Sequence, residues 1–261
     1  MNKEKYFIVI STIVTIAGLL LTGSTGILSN IADAQSPSCD NGELKPSTSS
    51  HPLPVILLHG YSEVSSVWAN WEDYLRSSGI QFCTVSFHPD DVCGTAAHDA
   101  TEIGQIVHKV KSMTHQNQVN IVAHSKGGLD ARLYLAKSGT HDVANLIMLG
   151  TPNKGSEFGN GAELNYFNLL CPAISDLTTH ASVIDASQNL NTKYYTIAGA
   201  CLPYIATWWG SIDEPNDGLV GVSSVRSQTY FENLPLSSHC HWQLMGAYEF
   251  DLAYNILSGR Q

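Results

Sequence analysis

A serine with the surroundings of a nucleophile stands in Ala123-His124-Ser125-Lys126-Gly127, between the apolar run Val119–Ala123 and an amphipathic stretch from Gly127 to Lys137. A serine hydroxyl attacks a carbonyl only when a base takes its proton and a further group steadies that base. A sharp strand-to-helix bend would raise the hydroxyl, and small residues two before and two after it let the helix pass close to the strand. Ala123 stands where the pattern usually has its first glycine. Downstream, Asp217 in Glu214-Pro-Asn-Asp-Gly-Leu-Val220 is the acid candidate, with Asp213 and Glu214 as rivals. It also has a plain reading as a turn aspartate, because Asn-Asp-Gly is good turn chemistry. His239 and His241 flank Cys240; His241, directly before the apolar residues of the last helix, is the favoured base and His239 the alternate. A metal-binding reading of His239-Cys240-His241 would leave the serine without a base. The backbone amides of Lys126, first in its helix, and of Tyr61, after His59-Gly60, are the candidate oxyanion donors. His59 itself reads as a hydrogen-bonding structural residue.

These side chains need a rigid frame, and the pattern of apolar runs supplies one. Runs at 54–58, 81–87, 119–123, 146–149 and 194–198 are short and continuous, as in strands buried on both faces. Helix-length segments at 67–76, 96–113 and 127–137 alternate with them, and Gly79 and Gly139 are placed as stops. Alternation of this kind predicts an α/β fold, a mostly parallel sheet with helices on both faces. From Pro152 to about Asn191 the rhythm breaks, with apolar clusters such as Leu164, Tyr166, Phe167, Leu169 and Leu170. That segment reads as an insertion over the carboxyl edge of the sheet, either a lid or static helices on its rim. Trp208 and Trp209, with Tyr204 and Ile205, line an acyl pocket or belong to the core. A last helix is expected over about 242–257.

Two lysines within Met1–Lys5, an uncharged stretch from Tyr6 to Leu21 and Ala32-Asp33-Ala34 read as a signal peptide ending at Ala34. The alternative is an uncleaved membrane anchor, for which the apolar run falls short of the usual length of about 20 residues. Residues 35–52 then form an extended leader, and 53–261 one catalytic domain. Residues 1–34 carry Lys3, Lys5, Glu4 and Asp33, so the remainder keeps the net charge of −10, which argues against nucleic acid as a partner. All six cysteines lie beyond Ala34 and suit disulfides in an oxidising compartment. Cys83 with Cys93, across a turn, and Cys171 with Cys201 are the expected pairs.

Taken together, His59-Gly60, the Ala-His-Ser-Lys-Gly-Gly turn, Leu149-Gly-Thr-Pro-Asn-Lys-Gly-Ser156 and Asn216-Asp-Gly-Leu-Val220 resemble bacterial true lipases of the Pseudomonas/Burkholderia and Bacillus groups. The resemblance runs from about residue 53 to the end. It implies an α/β-hydrolase fold, Ser125 as nucleophile, Asp217 as triad acid, no cofactor, and a lipid or other ester as substrate, with a lipid–water interface as a candidate partner. Larger relatives hold a structural calcium partly through an aspartate two residues after the histidine; Gln243 stands there, so neither metal nor cofactor is expected. A short-chain carboxylesterase, a thioesterase or an amidase would use the same residues. A non-catalytic secreted binding module on the same fold is the rival of another class.

Overall fold

The computed structural model describes residues 37–260 apart from 51, 89–91, 165–168, 203–204, 208–209 and 213. The expected signal peptide, the rival acid Asp213, and Tyr166, Phe167, Tyr204, Trp208 and Trp209 therefore lie outside the described residues. So do the side chains of Leu164 and Ile205.

Seven strands form one sheet, β1 (Ser38–Cys39), β2 (Val55–Leu58), β3 (Phe82–Ser86), β4 (Val119–His124), β5 (Val143–Leu149), β6 (Lys193–Ile197) and β9 (Phe231–Asn233). Their spatial order is β1-β3-β2-β4-β5-β6-β9, and every pairing is parallel except that of β1 with β3. The five expected apolar runs are β2 to β6. A small antiparallel hairpin, β7 (Ile205–Thr207) with β8 (Gly210–Ile212), stands apart from the sheet.

Helices cover both faces because alternate residues of each strand point to opposite sides. Ile56 and Leu58 of β2 join a core with Ile103, Ile106 and Val110 of α2 (Ala96–Thr114) and Leu135 of α3 (Lys126–Ser138). Val55 and Leu57 join the opposite core with Trp71 and Leu75 of α1 (Ala69–Ser77) and Phe250 and Leu257 of α6 (Ala247–Leu257). All four strand residues have no exposed surface. Truncating such a leucine to alanine costs about 2–5 kcal/mol. This is the mostly parallel sheet covered on both faces that the alternating pattern predicted, in the α/β-hydrolase arrangement that the resemblance implied.

Gly79 and Gly139 end α1 and α3 with positive φ, as expected of stop residues. The last helix begins later than the sequence suggested. A single turn at His241–Gln243 precedes it, and α6 starts only at Ala247. The insertion holds α4 (Glu157–Leu164) and two one-turn helices, Pro172–Leu177 and Ser182–Asp185. A further short helix, α5 (Val222–Val225), follows the Asn-Asp-Gly segment.

Both expected disulfides are overturned. The bridges are Cys39–Cys83, Cys93–Cys171 and Cys201–Cys240. Cys83 lies inside β3, and its antiparallel neighbour β1 brings Cys39 to a Cα separation of 5.1 Å, within disulfide reach. Sequence nearness misled here because a strand carries its side chains away from the turn that follows it. The same bridge corrects the reading of the leader. Ser38 and Cys39 form the edge strand, and Cys39 and Leu44 pack on the core.

Candidate active site

β4 occupies the middle of the sheet, and the chain leaves its carboxyl end through Ser125 into α3. Ser125 has φ 51° and ψ −124°, outside the regions that side-chain-bearing residues favour. Its amide donates to the Leu149 carbonyl at 2.9 Å and its carbonyl accepts from Gly128 N–H at 3.1 Å. These bonds hold the bend from both sides. The strain also depends on Gly127, where an added methyl group would lie 2.5 Å from the His59 carbonyl oxygen. Only a glycine lets α3 start this close to the end of β2.

Asp217 and His241 arrive from two loops at the carboxyl edge of the sheet. His241 Nδ1 lies 2.7 Å from Asp217 Oδ2, and the His241 amide donates to the Asp217 carbonyl at 2.8 Å. The other carboxylate oxygen accepts Leu219 N–H at 3.0 Å and Val220 N–H at 2.8 Å. Asp217 is thus fully buried yet satisfied, and its orientation is set by its own loop. Burial by itself pushes the His241 imidazole down, but the Asp217 charge and hydrogen bond, with Glu63 adding to them, reverse this and hold it above the ordinary histidine value. The pair passes against Gly150, at the end of β5, where a β-carbon would sit 3.0 Å from Asp217 Oδ2 and 3.2 Å from His241 Cε1. With φ 59°, Gly150 is needed both for its conformation and for its lack of bulk.

Ser125, Asp217 and His241 line one cavity of about 590 Å³, within the range of small-molecule sites. Phe158, Leu177, Leu202, Leu219 and Val220 give it apolar walls, and Tyr61 and Trp242 contribute from the rim. Tyr61 follows the carboxyl end of β2, and Lys126 is the first residue of α3, where helix amides have no intrahelical partner. Tyr61 thus lines the same cavity as Ser125, and Lys126 follows Ser125 directly in the chain. The rival residues go elsewhere. His239 Nδ1 binds Glu249 Oε1 at 2.9 Å, and Glu214 binds the Ser223 amide and hydroxyl at 3.0 and 2.6 Å. Neither lines the cavity with Ser125. His59 is buried, with Nδ1 3.0 Å from the Gly60 carbonyl and its ring edge-on to Phe87. Gln243 uses Oε1 to accept the Cys240 amide at 3.0 Å.

Two buried groups beside the site escaped the sequence reading. Lys126 sends Nζ inward to Asp99 at 2.7 Å and to both oxygens of Asp130 at 2.8 and 2.9 Å. Burial pushes the Asp130 carboxyl up to about 7 against the pull of Lys126, with Asp99 and Asp176 raising it further. The i,i+4 spacing of Lys126 and Asp130 was a visible signal for half of this cluster. The second group, Glu63 with His124, had none, since its members lie 61 positions apart.

The sequence model of the palmitoyl protein thioesterase family matches residues 54–213, a span that includes Tyr61, Ser125 and Lys126 and ends before Asp217 and His241. Triacylglycerol lipase 2 of Saccharomyces cerevisiae is 25% identical over 205 residues, 66% of this chain and 60% of that protein. A triacylglycerol lipase of Pseudarthrobacter phenanthrenivorans is 31% identical over 116 residues, 41% of this chain. The chain thus spans 60% and 35% of the length of these two relatives. Among solved structures, the mature Bacillus licheniformis lipase BlEst2 superposes with a TM-score of 0.66 at 21% identity, covering 82% of this chain and 94% of that one. The metagenomic carboxyl esterase MGS0156 does so at 0.54 and 15% identity, covering 76% and 66%. At these identities the superpositions speak for the fold.

Proposed function

The chain belongs to the palmitoyl protein thioesterase family of α/β-hydrolases, and from that premise we propose that it is a secreted carboxylic ester hydrolase whose substrates are fatty-acyl esters, acylglycerols first. At the level of the family it is a hydrolase of lipase, esterase or thioesterase type. The observation that carries it is the shared cavity, where a strained serine and a carboxylate-bound imidazole meet apolar walls that suit an acyl chain.

In this mechanism His241 takes the proton of the Ser125 hydroxyl, and the oxygen attacks the ester carbonyl. The amides of Tyr61 and Lys126 hold the resulting oxyanion, each donor worth about 3 kcal/mol of barrier. The tetrahedral intermediate collapses as His241 returns the proton to the leaving alcohol. Water, deprotonated by the same imidazole, then attacks the acyl-enzyme and releases the acid. Asp217 keeps Nδ1 as the donor to itself, leaving Nε2 to exchange protons. Three disulfides and a leader with the pattern of a signal peptide support export to an oxidising compartment. Among the described residues no helix is long and apolar enough to cross a membrane.

The test is labelling of Ser125 by a fluorophosphonate combined with a chain-length series of oxygen esters. Absence of labelling favours a binding module and ends the catalytic reading. The family match favours a second reading, a thioesterase on the same residues, so each acyl group should also be offered as a thioester. Consistently higher kcat/KM on the thioesters would move the assignment to that reading. A rise in rate when a long-chain ester passes into emulsion would place the enzyme at a lipid–water interface.

A further inference from the structure

At the wall of the cavity, which Glu63 lines, lies a further imidazole–carboxylate pair that the mechanism above does not use. His124, the last residue of β4, has no exposed surface. Its Nδ1 is 2.8 Å from Glu63 Oε2, and its Nε2 is 3.0 Å from the His241 carbonyl oxygen. The same Glu63 oxygen accepts Gly60 N–H at 2.7 Å. The His124 and His241 rings lie 4.7 Å apart between centroids.

Counting protons places one on Nε2 and one between Nδ1 and Glu63 Oε2. A peptide carbonyl only accepts, so Nε2 must carry a proton; an ionised carboxylate only accepts, so Nδ1 must carry one too. Burial would push Glu63 up, yet the His124 charge and hydrogen bond, the Gly60 amide and His241 together hold it below the usual carboxylate range. A carboxylate facing a twice-protonated ring leaves no charge unbalanced.

We infer that Glu63 and His124 form a buried carboxylate–imidazolium pair that positions the reaction centre, by tying the Gly60–Tyr61 loop and the loop of His241 to the residue that precedes Ser125. Each of its three hydrogen bonds ends on a different working segment. Glu63 fixes the amide next to the Tyr61 donor, His124 is covalently joined to the nucleophile, and its Nε2 holds the backbone of the base. Loss of this tie displaces the base relative to the hydroxyl, and a displacement of about 1 Å can cost on the order of 10²-fold in rate. The inference rests on His241 as the base, although the pair's protonation can be read without any activity.

In the full chain labelled with ¹⁵N-histidine, NMR should show one ring with two exchange-protected N–H protons, both lost in His124→Gln. A single protected proton on that ring overturns the imidazolium. Should His124→Gln not fold, Glu63→Gln supplies the assignment, because its ring keeps only the Nε2 proton. Kinetics then test positioning. The groups acting on His241 are Asp217 and Glu63, and those acting on Glu63 are His124 and His241. His124→Gln leaves the Glu63 charge unbalanced beside His241, so the acid limb of kcat/KM moves to higher pH, and kcat falls about 10²-fold with KM little changed. Glu63→Gln removes both charges at once, so its acid limb stays in place. An unmoved limb in His124→Gln, or full kcat in both variants, overturns the role, whereas failure of wild-type Ser125 to take a fluorophosphonate strikes the catalytic reading instead.

Discussion

His239 and His241 stand two positions apart, and each binds a buried carboxylate through Nδ1, at 2.9 Å to Glu249 and 2.7 Å to Asp217. The likeness ends there. The His239 side chain is 38% exposed, and its partner on α6 is shared with the Ser237 hydroxyl at 2.5 Å. The His241 side chain is 3% exposed, its partner is held by two amides of its own loop, and the pair shares a cavity with Ser125. An imidazole on a carboxylate is therefore not yet a base. What separates the two is that His241, and not His239, lines the cavity at the end of the central strand where Ser125 stands.

The sharpest way to break this comparison is to truncate each ring. His241→Ala should lower kcat/KM on a soluble ester by roughly 10⁴-fold, while His239→Ala retains most activity; the reverse result exchanges their roles. Removing the partners should preserve the order. We expect Asp217→Asn to lose about 10³-fold or more in kcat, because the imidazole is no longer held in one tautomer. Glu249→Gln should leave kcat nearly intact.

The contrast extends to buried charge that serves the fold. Lys126→Met leaves Asp99 and Asp130 without their cation, and urea unfolding should show a loss of about 3–5 kcal/mol. An unchanged midpoint would mean that the cluster is dispensable. The smallest effect concerns pH. His241 must be neutral to act, and its partners hold it above the ordinary value of about 6.5, so activity should fall as pH drops through a midpoint above that value. A midpoint below it would contradict the Asp217 pairing.

Much of this was legible in the chain. β2 to β6 and the three helices between them follow from apolar period and from Gly79 and Gly139. Ser125, Asp217 and His241 could be named as candidates from what a serine nucleophile requires and from the resemblance. What was hidden depends on distance along the chain. β1 and β9 are two and three residues long, too short for any periodic signal. Cys39 meets Cys83 only because an edge strand turns back antiparallel. Gly150 read as part of a motif, and only the structure reveals that Asp217 and His241 need its missing side chain. The position of His241 before the last helix already favoured it over His239, but only the structure shows that His241 lines the cavity with Ser125 while His239 turns to Glu249.

The Cys201–Cys240 bridge has a practical consequence for anyone preparing this protein. Cys240 is joined by a peptide bond to His241, and Cys201 lies just past the end of β6, so the bridge fastens the base's loop to the sheet. The parallel strands are held by apolar packing and need no such fastening. Material made in a reducing cytosol lacks this tie together with the other two bridges, and should disappoint in the assay. Thiol titration before any kinetic comparison would tell a poorly oxidised batch from a damaging substitution.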